Sequence, residues 1–303
     1  VFDKQTVLVL GAGASCQYGY PLGGKLVEDL IGLHNNEFMR NELALIGKTC
    51  EHYKVFEQVL KEAMPPSIDF FLETRPDFIE MGKLAIAYKI LVHEGPNITA
   101  RGIKSAWYHM LLDALGNTPA KIIANKLSIV TFNYDRSLEH FLHTAIKARF
   151  NLNDVQAAEV VASIPIVHVY GQIGLLPWQK GADDAKLPWG CAGTTGTALK
   201  ASKSIKIICE ENTHESPTLV QSRQLLAEAD TTYILGFGFH EENCLRLGLD
   251  QKSGSRQGGR YGLSDARVYI LEQKYGLKLH GQQDSDIPWL LENCKRYLAS
   301  SSG

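Results

Sequence analysis

The chain has 303 residues, 45% of them apolar and 21% charged, with a formal net charge of −2. That balance excludes a strongly basic nucleic-acid binder and gives no global attraction to an anionic membrane surface. No apolar run approaches the roughly 18 residues that span a bilayer, and the N-terminus does not read as a secretory signal.

The first element is the apolar run Val7-Leu8-Val9-Leu10, followed at once by Gly11-Ala12-Gly13-Ala14-Ser15 and then by Gly19-Tyr20-Pro21. A strand that ends in small residues and feeds a helix brings backbone N–H groups to a place where a pyrophosphate can sit. Gly11 and Gly13 would let it approach without a Cβ in the way. A short Gly-Ala-Gly of this kind is equally compatible with a plain tight turn. From about residue 35 to 125 the spacing is helical. Met81, Leu84, Ala85, Tyr88, Leu91 and Val92 trace one stripe of an amphipathic helix. A crossover so long exceeds what a βαβ unit needs, so residues 35–125 are expected to form a helical insertion lobe, with 1–34 and 126–299 forming the nucleotide-binding domain.

Leu127–Phe132 is the next strand-like run and closes on Thr131-Phe132-Asn133-Tyr134-Asp135. An amide and a carboxylate two residues apart at a strand's carboxyl end can meet ribose hydroxyls or a water, while Asp135 can also cap the helix that follows. That helix presents Leu138, Phe141, Leu142, Ala145 and Ile146 on one face. Residues 164–169 form a third strand leading to His168-Val169-Tyr170-Gly171, where period-two alternation places His168 and Tyr170 on one face. A histidine beside a ribose can serve as a general base, although a strand histidine is commonly a satisfied core residue.

Segment 174–204, with Pro177-Trp178 and Pro188-Trp189, lacks periodicity and is read as a loop or lid. Further strands are expected at 205–209, 231–236 and 267–272. The fifth of the six runs ends in Gly236-Phe237-Gly238-Phe239, which could approach the far end of a dinucleotide or be a packing turn. Residues 252–262 read as a Gly-rich, basic surface loop, and 300–303 as a disordered tail. Strands alternating with helices predict an α/β, Rossmann-like parallel sheet with helices on both faces.

The six cysteines, among them Cys16 beside the glycine turn, form no Cys-x-x-Cys pair, so neither a zinc ribbon nor a disulfide framework is suggested. A reducing cytoplasm is the expected setting. His140 and His143 lie three apart on a helix but have no evident third metal ligand. Glu210, Glu211, His214 and Glu215 read as a solvated cluster. No Gly-x-Ser-x-Gly elbow is present.

Taken in order, the Gly11–Pro21 turn, Thr131–Asp135, the strand end at Tyr170-Gly171 and the Gly236–Phe239 turn resemble the sirtuin-like NAD hydrolase domains of bacterial antiphage defence systems. Ser67–Glu73 and Gly82–Ala87 are similar to the same group. The resemblance implies NAD as substrate, no metal, and cleavage of the nicotinamide–ribose bond to give nicotinamide and ADP-ribose. Carried over by position, Gly11, Ala12, Gly13, Ala14, Ser15 and Pro21 would hold phosphate and ribose, with Gly236 and Gly238 at the far end. Asn133 would position the attacking water and Asp135 would assist binding. The family's base is a histidine directly before the glycine; here Tyr170 stands before Gly171, so His168 is assigned as base and Tyr170 as a ribose contact. The missing zinc cysteines disfavour a protein deacylase. The incomplete Gly-x-Gly-x-x-Gly disfavours a dehydrogenase. A non-catalytic NAD or ADP-ribose binding module is the alternative. The resemblance further implies a homo-oligomer and a sensing or ATPase partner subunit.

Overall fold

The structure, a computed structural model, describes residues 1–95, 107–207, 216–251 and 253–281. Six strands, β1 (Thr6–Leu10), β2 (Leu127–Thr131), β3 (Ile166–His168), β4 (Thr231–Leu235), β5 (Ser255–Gly259) and β6 (Leu277–His280), form one sheet in the order β3-β2-β1-β4-β5-β6. Every pairing is parallel. This is the α/β Rossmann-like arrangement expected from the sequence, and its strand order reverses between β1 and β4.

β1 is buried along its whole length because both faces of the sheet are covered. Val7 and Val9 pack into one core with Val130 and Ile234. Leu8 and Leu10 pack into the other with Ile129, Tyr233 and Leu235. All described elements between β1 and β2 are helical. Helix Ile79–Leu91 is buried almost all round rather than along one stripe, because helices Thr197–Ser202 and Glu37–Leu45 pack on it as well. Trp107 and Leu111 of helix Trp107–Leu115 instead join Leu8 and Leu10 on the opposite face of the sheet.

Three stretches depart from the sequence reading. The run at 267–272 lies inside helix Asp265–Tyr275, where Val268, Leu271 and Tyr275 are buried and Tyr269 and Ile270 are exposed. A helix period hides in that short apolar run, and Ser264 caps it by accepting from the Arg267 amide. The Gly-rich segment is not a surface loop: Ser255–Gly259 is β5. Its glycine is needed there, since a Cβ on Gly258 would come within 3.3 Å of the Ile234 carbonyl and of Phe239. Arg256 is buried and donates to the carbonyls of Leu249, Gln251 and Tyr275. Residues 205–207 are not a strand, although Lys206 donates its amide to the Tyr170 carbonyl. The cluster at 210–215, Cys209, Cys294 and the 300–303 tail lie outside the described residues.

Candidate functional site

The loop after β2 is built by its own side chains. Thr131 Oγ1 accepts from the Asn133 amide at 3.1 Å, and the Phe132 amide extends the ladder to the Leu10 carbonyl. Asn133 then donates through Nδ2 to Ser15 Oγ at 3.0 Å, tying the end of β2 to the turn after β1. Asp135 accepts from the Ser137 amide and hydroxyl in a turn that leads into helix Ser137–Phe150, whose N-cap position is taken by Arg136 rather than by the expected Asp135. Ser15 hydrogen-bonds the same carboxylate, and the Tyr108 hydroxyl lies 2.6 Å from Ser137 Oγ. Burial pushes the Asp135 carboxyl above the ordinary carboxylate range, against the pull of the two serines.

Ser15, Asn133 and Asp135 line a cavity of about 580 Å³ at the carboxyl ends of β1, β2 and β4. It opens where the strand order reverses, the position at which open α/β sheets receive ligands, and its volume suits a small-molecule site. Gly11, Ala12, Gly13, Ser15, Pro21, Asn133, Asp135, Tyr170, Gly236 and Gly238 all line it. Ala14 does not: it is fully buried under the turn. Gly171 is also off the wall; its φ of +74° and its contact with the Ser204 carbonyl give it a structural reason to be glycine.

The glycine turn has a different physical basis from the one expected. A Cβ on Gly11 would meet the Gly236 carbonyl oxygen at 2.5 Å, and one on Gly13 would meet Gly236 Cα at 2.7 Å. The close approach these glycines permit is therefore that of the loop after β4. The amides of Gly13, Ala14 and Ser15 are engaged with the carbonyls of Gly236, Gly11 and Ala12. Trp107, which the sequence reading overlooked, locks the turn by donating its indole N–H to the Ala14 carbonyl at 2.7 Å.

His168 is not on the cavity wall. β3 ends at His168, so the chain turns before Tyr170 and the alternation that would align the two side chains breaks. Tyr170 packs with the core on the cavity side. The His168 ring is buried, with Nδ1 2.8 Å from the Asn133 carbonyl and Nε2 2.6 Å from Glu139 Oε1. Both ring nitrogens are thus committed, and the geometry withholds the base role that the sequence reading assigned to His168 where Tyr170 replaces the family's histidine. Tyr170 is no substitute, because burial pushes its phenol up to about 12 and its hydroxyl is held between Asn243 and Arg246.

Several further residues line the cavity that the sequence reading did not single out as site residues, although Tyr20, Asp69 and Glu73 lie within segments that carry the resemblance. Asp69, Glu73, Glu241 and Glu242 add carboxylates, and Tyr134 donates its hydroxyl to Asp69. Burial raises the Asp69 carboxyl. Tyr20 lines the cavity with a buried hydroxyl that has no hydrogen-bond partner among the described residues. Helices Gly13–Cys16, Gly23–Asp29, Ile68–Thr74 and Glu241–Arg246 all begin at the cavity, and their amino ends favour negative charge. The 174–204 segment lies elsewhere, over a second, open groove. There His140 stacks on Trp189 at 4.0 Å and His143 on Trp178 at 4.5 Å. It is no free lid: buried Arg136 donates to the carbonyls of Leu175, Leu187 and Pro188.

No family model matches the chain, and no curated protein matches it significantly. Among solved structures, a complex of a Sir2 homologue with NAD is 12% identical with a TM-score of 0.45, over 99% of this chain and 92% of that one. An ADP-ribose complex of a mutant Sir2 homologue is 12% identical with a TM-score of 0.41, over 98% and 94%. A complex of Sir2 with an inhibitor, 2′-O-acetyl-ADP-ribose and a deacetylated peptide is 14% identical with a TM-score of 0.40, over 97% and 94%. At these identities and scores nothing about activity follows from them.

Proposed function

We propose that the cavity binds NAD⁺ and hydrolyses its nicotinamide–ribose bond. The observation that carries this reading is the convergence of Ser15, Asn133 and Asp135, from the ends of two neighbouring strands, at the switch point of the sheet. The motif resemblance to sirtuin-like NAD hydrolase domains supports the same substrate.

In the reaction, the C–N bond breaks with its electron pair passing to the ring nitrogen, so nicotinamide leaves neutral. The ribose that remains is oxocarbenium-like and is captured by water, whose surplus proton passes to bulk solvent to give ADP-ribose. A cationic pyridinium is already a good leaving group, so no acid is required at that step. Asn133 Nδ2 is occupied by Ser15, which leaves its Oδ1 to orient the water or a ribose hydroxyl. Asp135, buried on the cavity floor, lies where it can stabilise the developing positive charge. Of the helices that begin at the cavity, Gly23–Asp29 has an amino end with neither a side-chain cap nor a carboxylate in its first turn, and it is this end that meets the pyrophosphate. That role matters because no Lys or Arg is among the described lining residues.

The reading extends to an effector of antiphage defence that depletes NAD, controlled by self-assembly or by a sensing or ATPase partner. A second reading, NAD or ADP-ribose binding without turnover, is favoured by the placement of His168 off the cavity wall. Nicotinamide release from NAD⁺ separates the two when measured for the protein, Asn133→Ala, His168→Ala and Tyr170→Phe. Release that collapses in Asn133→Ala and survives in Tyr170→Phe supports hydrolysis. Saturable NAD⁺ binding with no release, in the presence of any activating partner, supports the binding module.

A further inference from the structure

The pair His168–Glu139 is buried, charged and unused by the chemistry above. Both residues are nine-tenths or more out of solvent, at 8% and 3% exposure. Each end of the imidazole has a defined partner. Nδ1 meets the main-chain carbonyl of Asn133, the residue whose side chain lines the cavity, and Nε2 meets the Glu139 carboxylate on helix Ser137–Phe150.

We propose that His168 is a positioning residue: it clamps the main chain of Asn133 while Glu139 anchors it from behind, and so sets the Asn133 amide in the cavity. The inference rests on the proposed role of Asn133 but assigns a function to two residues that the reaction itself does not touch. Three constraints converge on Asn133. Thr131 Oγ1 fixes its amide, Ser15 Oγ fixes its Nδ2, and His168 fixes its carbonyl. The first two belong to elements that would persist if the third were lost, so the clamp is the adjustable member. Glu139 also lies at the edge of the open groove beside His140, so the clamp is anchored on the side away from the cavity.

Holding both partners at once requires the ring to donate through both nitrogens, which only the imidazolium can do; the neutral ring keeps one N–H, for which the Glu139 carboxylate competes with the Asn133 carbonyl. Burial by itself depresses the His168 pKa. The Glu139 carboxylate and the Asn133 carbonyl, with Asp135 nearby, outweigh that and raise it above the ordinary 6.5. The charged groups acting on the ring are thus Glu139 and Asp135. Helix Pro217–Glu228, which packs against β3, contributes the uncharged Thr218 at the Val169 carbonyl. Because the folded pKa is raised, the clamp is complete below about pH 6.5 and loosens as pH rises through the folded value.

The test is an NMR titration of the whole protein, following the His168 ring and the Asn133 side-chain amide together from pH 5 upward. His168 is expected to titrate above its ordinary value, with the Asn133 amide shifting at the same midpoint. In Glu139→Gln, which keeps an acceptor but loses the charge, both midpoints move to lower pH together. In the nicotinamide-release assay the same variant moves the alkaline limb of kcat to lower pH with KM little changed. Glu139→Ala lowers kcat by roughly 10- to 100-fold, the order expected when a reacting group is displaced by about an ångström. An Asn133 amide that ignores the His168 titration, or a His168 that titrates below 6.5, overturns the clamp. Absence of NAD⁺ turnover with coupled titration intact would instead count against the proposed reaction and leave the clamp standing.

Discussion

Asp135 and Arg136 are neighbours in sequence, both buried and both charged, yet they belong to opposite kinds of polar cluster. Arg136 and its partner Glu94 are fully buried, with Nε to Oε1 at 2.7 Å. The guanidinium spends its remaining donors on the carbonyls of Leu175, Leu187 and Pro188, and Glu94 also accepts from the Gly190 amide. That network is closed. The network around Asp135 and Asn133 ends at a cavity wall that also carries the Tyr20 hydroxyl, which has no partner among the described residues. Most buried polar groups are satisfied where structure is their purpose, with Arg256 Nε an exception among the described residues. A closed cluster therefore marks architecture, and an open one facing a cavity marks a site.

The contrast breaks most visibly at Glu94. Glu94→Ala strands the Arg136 charge in the core and is expected to cost about 3–5 kcal/mol in urea denaturation; a loss below 1 kcal/mol would mean that the network is not closed. Asn133→Ala is expected to lower nicotinamide release by about 10²–10³-fold, or 2.7–4 kcal/mol in the barrier. Its denaturation midpoint should barely move, since only one hydrogen bond is lost; a large stability loss would make Asn133 architectural. Gly13→Ala sharpens the boundary between the two clusters. Its methyl group would press on the Gly236 backbone, so thermal denaturation should show a loss of about 1–3 kcal/mol. The smallest effect is Tyr20→Phe, which removes a buried, unsatisfied hydroxyl and should stabilise the ligand-free protein by about 1 kcal/mol. Destabilisation there would reveal a partner for that oxygen.

The open cluster was more legible in the sequence than its surroundings. Ser15, Asn133, Asp135 and Tyr170 follow strand ends, and a parallel sheet gathers all its carboxyl ends on one edge. Their meeting therefore follows from element order alone. His168 was misplaced because alternation holds only while the strand lasts, and β3 stops one residue too soon. β5 was missed because its glycines and arginine carry no β-branched signal. Its stability comes from neighbours distant in sequence, such as Leu277 and Leu279 of β6. Asp69 and Tyr20 lie in segments that carry the resemblance, but only the packing of the helices around the cavity shows that their side chains reach it. Arg136 and Glu94 are 42 residues apart, and only the fold brings them together.

Titrating the protein with NAD⁺ and with ADP-ribose by calorimetry, alongside Ser15→Ala and Asn133→Ala, tests most directly whether the open cluster is a nucleotide site. The account predicts saturable binding of both ligands to the unaltered protein, weakened at least tenfold in each variant, a loss of about 1.4 kcal/mol. Binding of equal strength in all three proteins, or none in any, would contradict it.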